Sequence, residues 1–333
     1  MFNDRQLSEI FYSLEGQGGF PTKYIYSGNG VNHWITRSIN SKEDLITCSN
    51  SNTDSTGSQY KMMSDTVDLV IGSIKNKNLI NFIDVGCGTG FPVYEILSYL
   101  KEKKQLNKYI AIDIVPEMIE LAITNLKSTS VLDKVKNEKY VHDFEDGHFA
   151  DFMIQHRKEE TVNLFCFIGS TLGNMVDRHR ALANIRDSMT EGDLLWTGVV
   201  LRNCENQLLD IYNNLEVNSE EYMRRHRHHA AVLESFGMAN WQDYGKIIVL
   251  KADNFGLLKY YFVVAKPFIL EFPIVNEHEP IRLYYDRGEK INIFQLKNYE
   301  ESDLIKEMKE AGFKIKMINI NDFYDSALIL TSV

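Results

Sequence analysis

A doubly wound α/β sheet is the fold this sequence predicts, and three observations predict it. Between about residue 61 and residue 200, short apolar runs rich in β-branched residues alternate with helical patterns. Such alternation marks a parallel sheet covered on both faces. A glycine-rich turn stands directly between the first run and the first helix. The C-terminus closes with a helix and two β-rich runs joined by a short polar link, the pattern of an antiparallel hairpin.

In chain order, Asn81 to Val85 reads as a buried strand and Pro92 to Lys103 as a helix. Lys108 to Ile114 is a second strand, followed by a helix from Pro116 to Leu126 with proline in its first turn. A shorter third strand spans Lys139 to His142, and the almost wholly apolar Thr161 to Ile168 is the fourth. Helix-prone residues from Arg178 to Met189 lead to a fifth strand, Asp193 to Leu201. The closing helix runs from Glu301 to Ala311 and stops at Gly312, as helix ends commonly do. Phe313 to Ile320 and Ser326 to Val333 form the expected hairpin.

Residues 202–298 are too many for a connection. They are read as an insertion, helical and charged at first and then β-rich, with strands around Lys259 to Phe268 and Ile281 to Tyr285. The aromatics Tyr260, Tyr261, Phe262 and Phe268 are expected to form its core. The polar run Ser49 to Ser58 reads as a mobile loop or linker. The expected division is a core of residues 61–201 with 299–333, and a substrate-binding domain of residues 1–60 with 202–298.

The 333 residues are 44% apolar and 25% charged, which excludes a disordered or fibrous protein. Thirty-six basic against 46 acidic residues leave a formal charge of −10, which disfavours a nucleic-acid partner. The basic run Arg224 to His229 is expected to be the solvated face of a helix. No stretch approaches the ~18 continuous apolar residues of a membrane span. The N-terminus lacks the basic-then-apolar pattern of a secretory leader. Cys48, Cys87, Cys166 and Cys204 form no CxxC pair. A reduced, cytoplasmic protein is expected, monomeric or homodimeric, with no membrane or nucleic-acid partner.

The chemistry begins at Asp84-Val85-Gly86-Cys87-Gly88-Thr89-Gly90. Glycines lacking Cβ let the backbone turn sharply and let a ligand lie against it, in the crevice where doubly wound sheets bind their ligands. A dinucleotide fingerprint wants G-x-G-x-x-G. Here the spacing is G-x-G-x-G after an acidic residue, which suits S-adenosyl-L-methionine (SAM), a nucleoside with an ammonium and no pyrophosphate. Asp113 ends the second strand, where a carboxylate can accept both ribose hydroxyls; capping the helix at Pro116 is its alternative duty. Asp143 and Phe144, after the third strand, would set a carboxylate near the adenine amino group and an aromatic face beside the ring. Gly86, Gly88, Gly90, Asp113, Asp143, Phe144 and Ser170 make up the expected cofactor set.

Phe167-Ile168-Gly169-Ser170-Thr171-Leu172-Gly173-Asn174 resembles the G-S-T-[IL]-G-N segment of the histidine Nα-methyltransferase family of ergothioneine biosynthesis. Pro21-Thr22-Lys23-Tyr24-Ile25-Tyr26 is similar to that family's P-x-K-Y-x-Y element, and Ala265 to Tyr299 resembles its late region in layout. The resemblance implies a Class I methyltransferase: a Rossmann-like doubly wound sheet with an antiparallel last strand, plus a second, substrate-binding domain. It implies that Asn174 and Tyr212 orient the substrate amine, with Tyr24, Tyr26 and Phe294 beside the acceptor. An amide and a phenol oxygen can align an amine lone pair without a strong base. Asn174 capping the next helix and Tyr212 packing in a core are the structural alternatives.

Two departures bear on the substrate. The family's Y-Y-P-T-R-like stretch is replaced by the Ser49 to Ser58 run, and its imidazole-gripping Glu and Ser by Phe294-Gln295-Leu296-Lys297-Asn298-Tyr299. A pocket without that carboxylate has little reason to select histidine. The expected activity is SAM-dependent N-methylation of a small amino acid or a derivative. An O-methyltransferase and a non-catalytic SAM-binding protein are the alternatives.

Other constellations carry less. His226 and His229 stand i,i+3, but no third ligand follows at suitable spacing, so no metal is expected. His142 is a candidate base and Glu145 with Asp146 a candidate acid–base pair, although a solvated loop is the plainer reading of both. Nothing near Cys87 predicts a reactive thiol.

Overall fold

The computed structural model describes residues 2–36, 55–74, 79–158, 160–217, 219–273, 280–322 and 325–333. The chain divides into two compact units, Met1–Arg37 with Cys204–Asn298, and Ser38–Asn203 with Tyr299–Val333. In chain order the strands are β1 (Leu79–Val85), β2 (Leu106–Asp113), β3 (Lys136–Val141), β4 (Thr161–Phe167) and β5 (Leu194–Val200). Then follow β6 (Gly245–Lys251), β7 (Leu257–Val264), β8 (Phe268–Phe272), β9 (Ile281–Tyr285), β10 (Lys290–Lys297), β11 (Lys314–Ile320) and β12 (Ser326–Ser332).

The second unit is built on one seven-stranded sheet, ordered β11-β12-β5-β4-β1-β2-β3. β1 to β5 are parallel, whereas β12 runs antiparallel to both β5 and β11. This is the Class I methyltransferase sheet the sequence predicts. Successive side chains of a strand point to opposite faces, so Phe82 and Leu164 join one core while Ile83 and Phe165 join the other. The first face is covered by helices Ser55–Gly72, Tyr94–Glu102 and Pro116–Ser128, which bury Val67, Leu97 and Ala122 there. The second is covered by Arg178–Asp187 and Glu301–Glu310, through Leu182 and Leu304.

The first unit holds a three-stranded antiparallel sheet, β10-β7-β6, and a separate β8-β9 pair. Strict alternation along β7 buries Leu258, Tyr260, Phe262 and Val264, and helix Asp4–Gln17 adds Leu7, Ile10, Phe11 and Leu14 to the same core. Tyr261 falls on the opposite face of β7, outside that core. The β-rich stretch expected as one run from Lys259 to Phe268 is two strands, because Pro267 lacks the N–H a continuous ladder needs.

Three further expectations are corrected. The polar run of residues 49–58 lies partly outside the described residues, and from Ser55 onward it is helix. Packing of Met62, Met63, Val67, Val70 and Ile71 on the sheet outweighs the weak propensity of that first turn. β3 begins at Lys136 rather than Lys139; as an edge strand it carries charged residues that conceal it in sequence. The basic run is not a uniformly solvated face. Arg224 and Arg225 pair with Glu221 at 2.7 and 2.5 Å, but His226, His228 and His229 are buried. The helix Glu220–His226 ends at Arg227, and the chain beyond it carries the last two rings inward, where His229 packs on Tyr260 at 4.4 Å. No described helix is long and apolar enough to cross a membrane.

Candidate active site

The glycine turn follows β1 and is tied to the end of β2. The Gly86 and Cys87 amides donate to the Ile112 carbonyl at 2.8 and 3.1 Å, and Gly90 donates to Cys87 at 2.9 Å. Gly86, Gly88 and Gly90 all have left-handed φ, +69°, +50° and +72°, which a side chain at any of them would strain. Asn125, on helix Pro116–Ser128, donates its amide to the Thr89 carbonyl at 2.9 Å and fixes the turn from the far side.

Two buried carboxyls face this turn. Asp113 accepts from Gly88 N–H at 3.2 Å and from Val115 N–H at 3.0 Å. Burial raises it to about 6 against the pull of the Val115, Gly88 and Ile114 amides. The helix cap at Val115 has no side-chain bond, so Asp113 serves the turn rather than capping. Asp84 accepts from the buried Tyr109 hydroxyl at 2.8 Å, and burial, with the nearby Asp113 charge, raises it to about 7 although the Tyr109 bond pulls the other way. Sequence reading used Asp84 as the acid that opens the glycine motif but gave it no place in the cofactor set, and it left Tyr109 out altogether. The only signal for Tyr109 was a tyrosine within the otherwise aliphatic end of β2. Burial also pushes the Cys87 thiol well up, which leaves it unreactive.

Across the turn, a Cβ on Gly86 would lie 3.4 Å from Thr171 Cγ2 and 3.9 Å from Phe144 Cζ. Gly86, Phe144 and the G-S-T-L-G-N segment therefore wall one cradle. Phe144 is held edge-on by Phe167, with centroids 5.4 Å apart. Asp143 accepts from Glu145 N–H at 3.0 Å, which shapes the loop after β3. Ser170 has φ +64°, and its hydroxyl accepts from Gln59 Nε2 at 3.0 Å. Gln59 was not legible as a site residue, since it stands in a polar stretch with no pattern.

Asn174 ends the short helix Thr171–Asn174 and is only 8% exposed. It does not cap the next helix. Asp177 does so, accepting from Arg180 N–H at 2.9 Å. The candidate acid–base groups of this loop have structural partners. Glu145 accepts from Val176 and Asp177 amides at 2.7 and 2.9 Å, Asp146 sits 3.6 Å from Arg180, and His142 bonds the Gly147 carbonyl at 2.7 Å.

The acceptor candidates Tyr24, Tyr26, Tyr212 and Phe294 belong to the first unit. The Tyr212 ring packs against His226 at 5.3 Å and Tyr260 at 5.5 Å, and Phe294 against His229 at 4.7 Å. Burial lowers His226 to about 4, so its ring is neutral at pH 7. Tyr24 donates its hydroxyl to Glu9 at 2.7 Å, and Tyr26 packs edge-on against Trp34 at 5.3 Å.

The residues of the second unit fit SAM. Among the described residues no cation compensates these buried carboxyls, and a ligand with an ammonium and a sulfonium would supply one, whereas a pyrophosphate would face two acids. When bound, SAM supplies an electrophilic methyl group. The chain's own part is the cradle at Gly86 and the buried acids beside it.

Comparison with known proteins agrees. The family model for histidine-specific, SAM-dependent methyltransferases matches residues 9–332. No curated protein matches the sequence. Among solved structures, a SAM-dependent methyltransferase from Clostridium acetobutylicum is similar at 12% identity, covering 90% of this chain and 99% of that one, TM-score 0.45. The magnesium protoporphyrin IX methyltransferase from Synechocystis is similar at 11% identity, covering 90% and 95%, TM-score 0.43. A glycopeptide N-methyltransferase in complex with SAM is similar at 9% identity, covering 81% and 86%, TM-score 0.38. With the family model spanning nearly the whole chain, this protein belongs to the histidine-specific, SAM-dependent methyltransferase family and is a SAM-dependent methyltransferase.

Proposed function

We propose that the enzyme methylates the neutral amine of a small amino acid or amino-acid derivative whose side chain is more apolar than imidazole. The observation that carries this reading is Asn174. Its carboxamide is nearly buried at the end of a short helix, beside the Thr171 that faces the glycine turn, and the next helix is capped by Asp177. A carboxamide oxygen accepts an amine N–H and turns the nitrogen lone pair toward the methyl carbon. It has no basicity with which to activate a hydroxyl, so the arrangement suits an amine rather than an alcohol. Bound SAM would supply the methyl group and its sulfur would keep the S–C electron pair, while the ammonium formed on the acceptor would release its proton to solvent. The residues' work is alignment and exclusion of water.

In this reading Gly86, Gly88, Gly90, Asp113, Asp143, Phe144 and Ser170 hold the cofactor, and Tyr24, Tyr26, Tyr212 and Phe294 serve the acceptor. Support for an acceptor other than histidine is the ring environment of Phe294, which packs against His229 and Tyr260 at centroid distances of 4.7 and 5.1 Å. Aromatic rings welcome an apolar side chain and lack the carboxylate that would grip an imidazole.

The test incubates the enzyme with isotope-labelled SAM and a panel of amino acids, their hydroxy-acid analogues and small amines, with mass spectrometry of the products. Label is expected on the nitrogen of an aromatic or aliphatic amino acid. Transfer to the hydroxy acids but not to the amines would end the proposal. Asn174→Ala is expected to lower kcat/KM for the acceptor by about 10²-fold while SAM affinity stays within about threefold, as loss of an aligning bond requires.

A further inference from the structure

We propose that Gln59 is a positioning residue for the Gly169–Asn174 segment, holding its left-handed turn and through it the cradle wall and the Asn174 carboxamide. The Asn174 part rests on the function proposed above. The rest concerns the fold alone.

Gln59 stands in the first turns of helix Ser55–Gly72 and is 0% exposed. A buried carboxamide is costly unless both ends are bonded, and both ends of this one go to the same turn. Its Oε1 accepts from Gly169 N–H at 3.1 Å, and its Nε2 donates to Ser170 Oγ at 3.0 Å.

That turn needs holding. Gly169 and Ser170 have φ of +80° and +64°. The serine occupies a region unfavourable for a residue with a Cβ, which persists only where its surroundings over-determine it. β5 supplies an independent mark of the same design. A Cβ on Gly198 would meet Gln59 Oε1 at 2.5 Å and Cδ at 3.0 Å, so that strand is bare where the amide passes.

The turn launches the helix that carries both groups of interest. Gly173 N–H returns to the Ser170 carbonyl at 2.9 Å, and Thr171 Oγ1 donates to the Ile168 carbonyl at 2.9 Å. Thr171 then faces Gly86, and Asn174 closes the helix. Loosening the turn moves both together. The glycine turn and Asp113 are anchored without Gln59, through Ile112, Val115 and Asn125, so that side of the cofactor site keeps its shape while the Thr171 wall and Ser170 loosen.

The test compares the wild type with Gln59→Met, which keeps the side-chain length and removes both hydrogen bonds, and with Gly198→Ala, which drives the amide off its seat. Hydrogen exchange of the amides of residues 168–174 is expected to quicken about tenfold in Gln59→Met, with residues 84–90 unchanged. The kcat of methyl transfer is expected to fall about 30-fold, and SAM affinity by calorimetry about fivefold through the loosened Thr171 wall and Ser170. Gly198→Ala should act in the same direction, and adding it to Gln59→Met should cost less than a further twofold, because the two changes remove one arrangement. Unchanged exchange across 168–174, or effects of the two variants that simply multiply, would overturn the proposal. Should Gln59→Met not fold, Gly198→Ala alone carries the exchange measurement. If the wild type methylates no amine but exchange still quickens in the variants, the amine reading fails and the positioning role stands.

Discussion

Asp84→Asn is expected to make the protein more stable at pH 8 and at the same time to weaken SAM binding by about 10²-fold or more, close to the cost of removing one partner of a buried ion pair. The two effects have one origin. Burial raises the Asp84 carboxyl from its ordinary 3.8 to about 7. Between those values the folded chain holds a proton that the unfolded chain has released. Folding then becomes less favourable as pH rises through this window, and above 7 the cost is fully present. The shift corresponds to roughly 4 kcal/mol, of which Asn, uncharged and still able to accept from Tyr109, should recover about half or more. Thermal unfolding at pH 5 and pH 8 measures it, and the gain from Asn should be seen at pH 8 and shrink toward pH 5.

The groups facing Asp84 are Tyr109 and Asp113 from β2, Cys87 from the turn and Cys166 from β4. None is cationic, and the Tyr109 hydroxyl is pushed well above its ordinary range by burial and by Asp84 itself. A cationic ligand would therefore fill an electrostatic need these groups leave open, and its binding would expel the proton. Wild-type SAM affinity should fall about tenfold per pH unit below 7 as that one proton must be displaced. Asp84→Asn should flatten the dependence between pH 6 and 8, with the slope from Asp113, raised to about 6, emerging lower down. A variant less stable than wild type at pH 8, binding SAM normally, would show that the acid serves the fold and not the ligand. Stability given up at a binding site in this way is a common bargain in enzymes.

What the sequence made legible follows from how local the physics is. The G-x-G-x-G turn, Asp113 at the end of β2 and the closing hairpin depend on residue type and spacing within a few positions, and all are where the pattern placed them. Where an outcome depends on distant packing, the pattern fails. Lys136, Asn137 and Glu138 are strand residues only because β2 offers an edge to pair with. His226 looks like part of a basic surface but sits on the buried face of its helix beside Tyr222, and His228 and His229 do so until the helix ends at Arg227 and the chain turns inward. Gln59 lies 110 residues before the Gly169 amide it accepts from, and no window on the sequence contains both. Tyr109 is the intermediate case. Its position in β2 was predicted, but its bond to Asp84 requires the register that sets β1 beside β2.

The same limit applies inside the glycine motif, and it yields the second large effect. Gly86 and Gly90 read alike in sequence and share left-handed φ, yet the structure gives them different neighbours. A Cβ on Gly90 would lie 3.0 Å from both Cα and O of Ala122, backbone atoms of helix Pro116–Ser128 that cannot step aside singly. A Cβ on Gly86 would meet the Thr171 side chain at ordinary contact distance, Cγ2 at 3.4 Å and Oγ1 at 3.7 Å, and approach the Phe144 ring. Gly90→Ala is therefore a packing lesion, expected to cost about 3 kcal/mol, enough to lower Tm by roughly 4 °C in a chain of 333 residues. Gly86→Ala is a cradle lesion. Its backbone strain should cost about 1 kcal/mol, while the methyl group stands in the space a ligand needs and lowers SAM affinity by about 10²-fold, as preorganised sites lose affinity when filled. Melting curves and calorimetry on the two variants separate these outcomes. If Gly86→Ala bound SAM as the wild type does, the space between Gly86, Thr171 and Phe144 would not be where the cofactor lies, whatever the motif resembles.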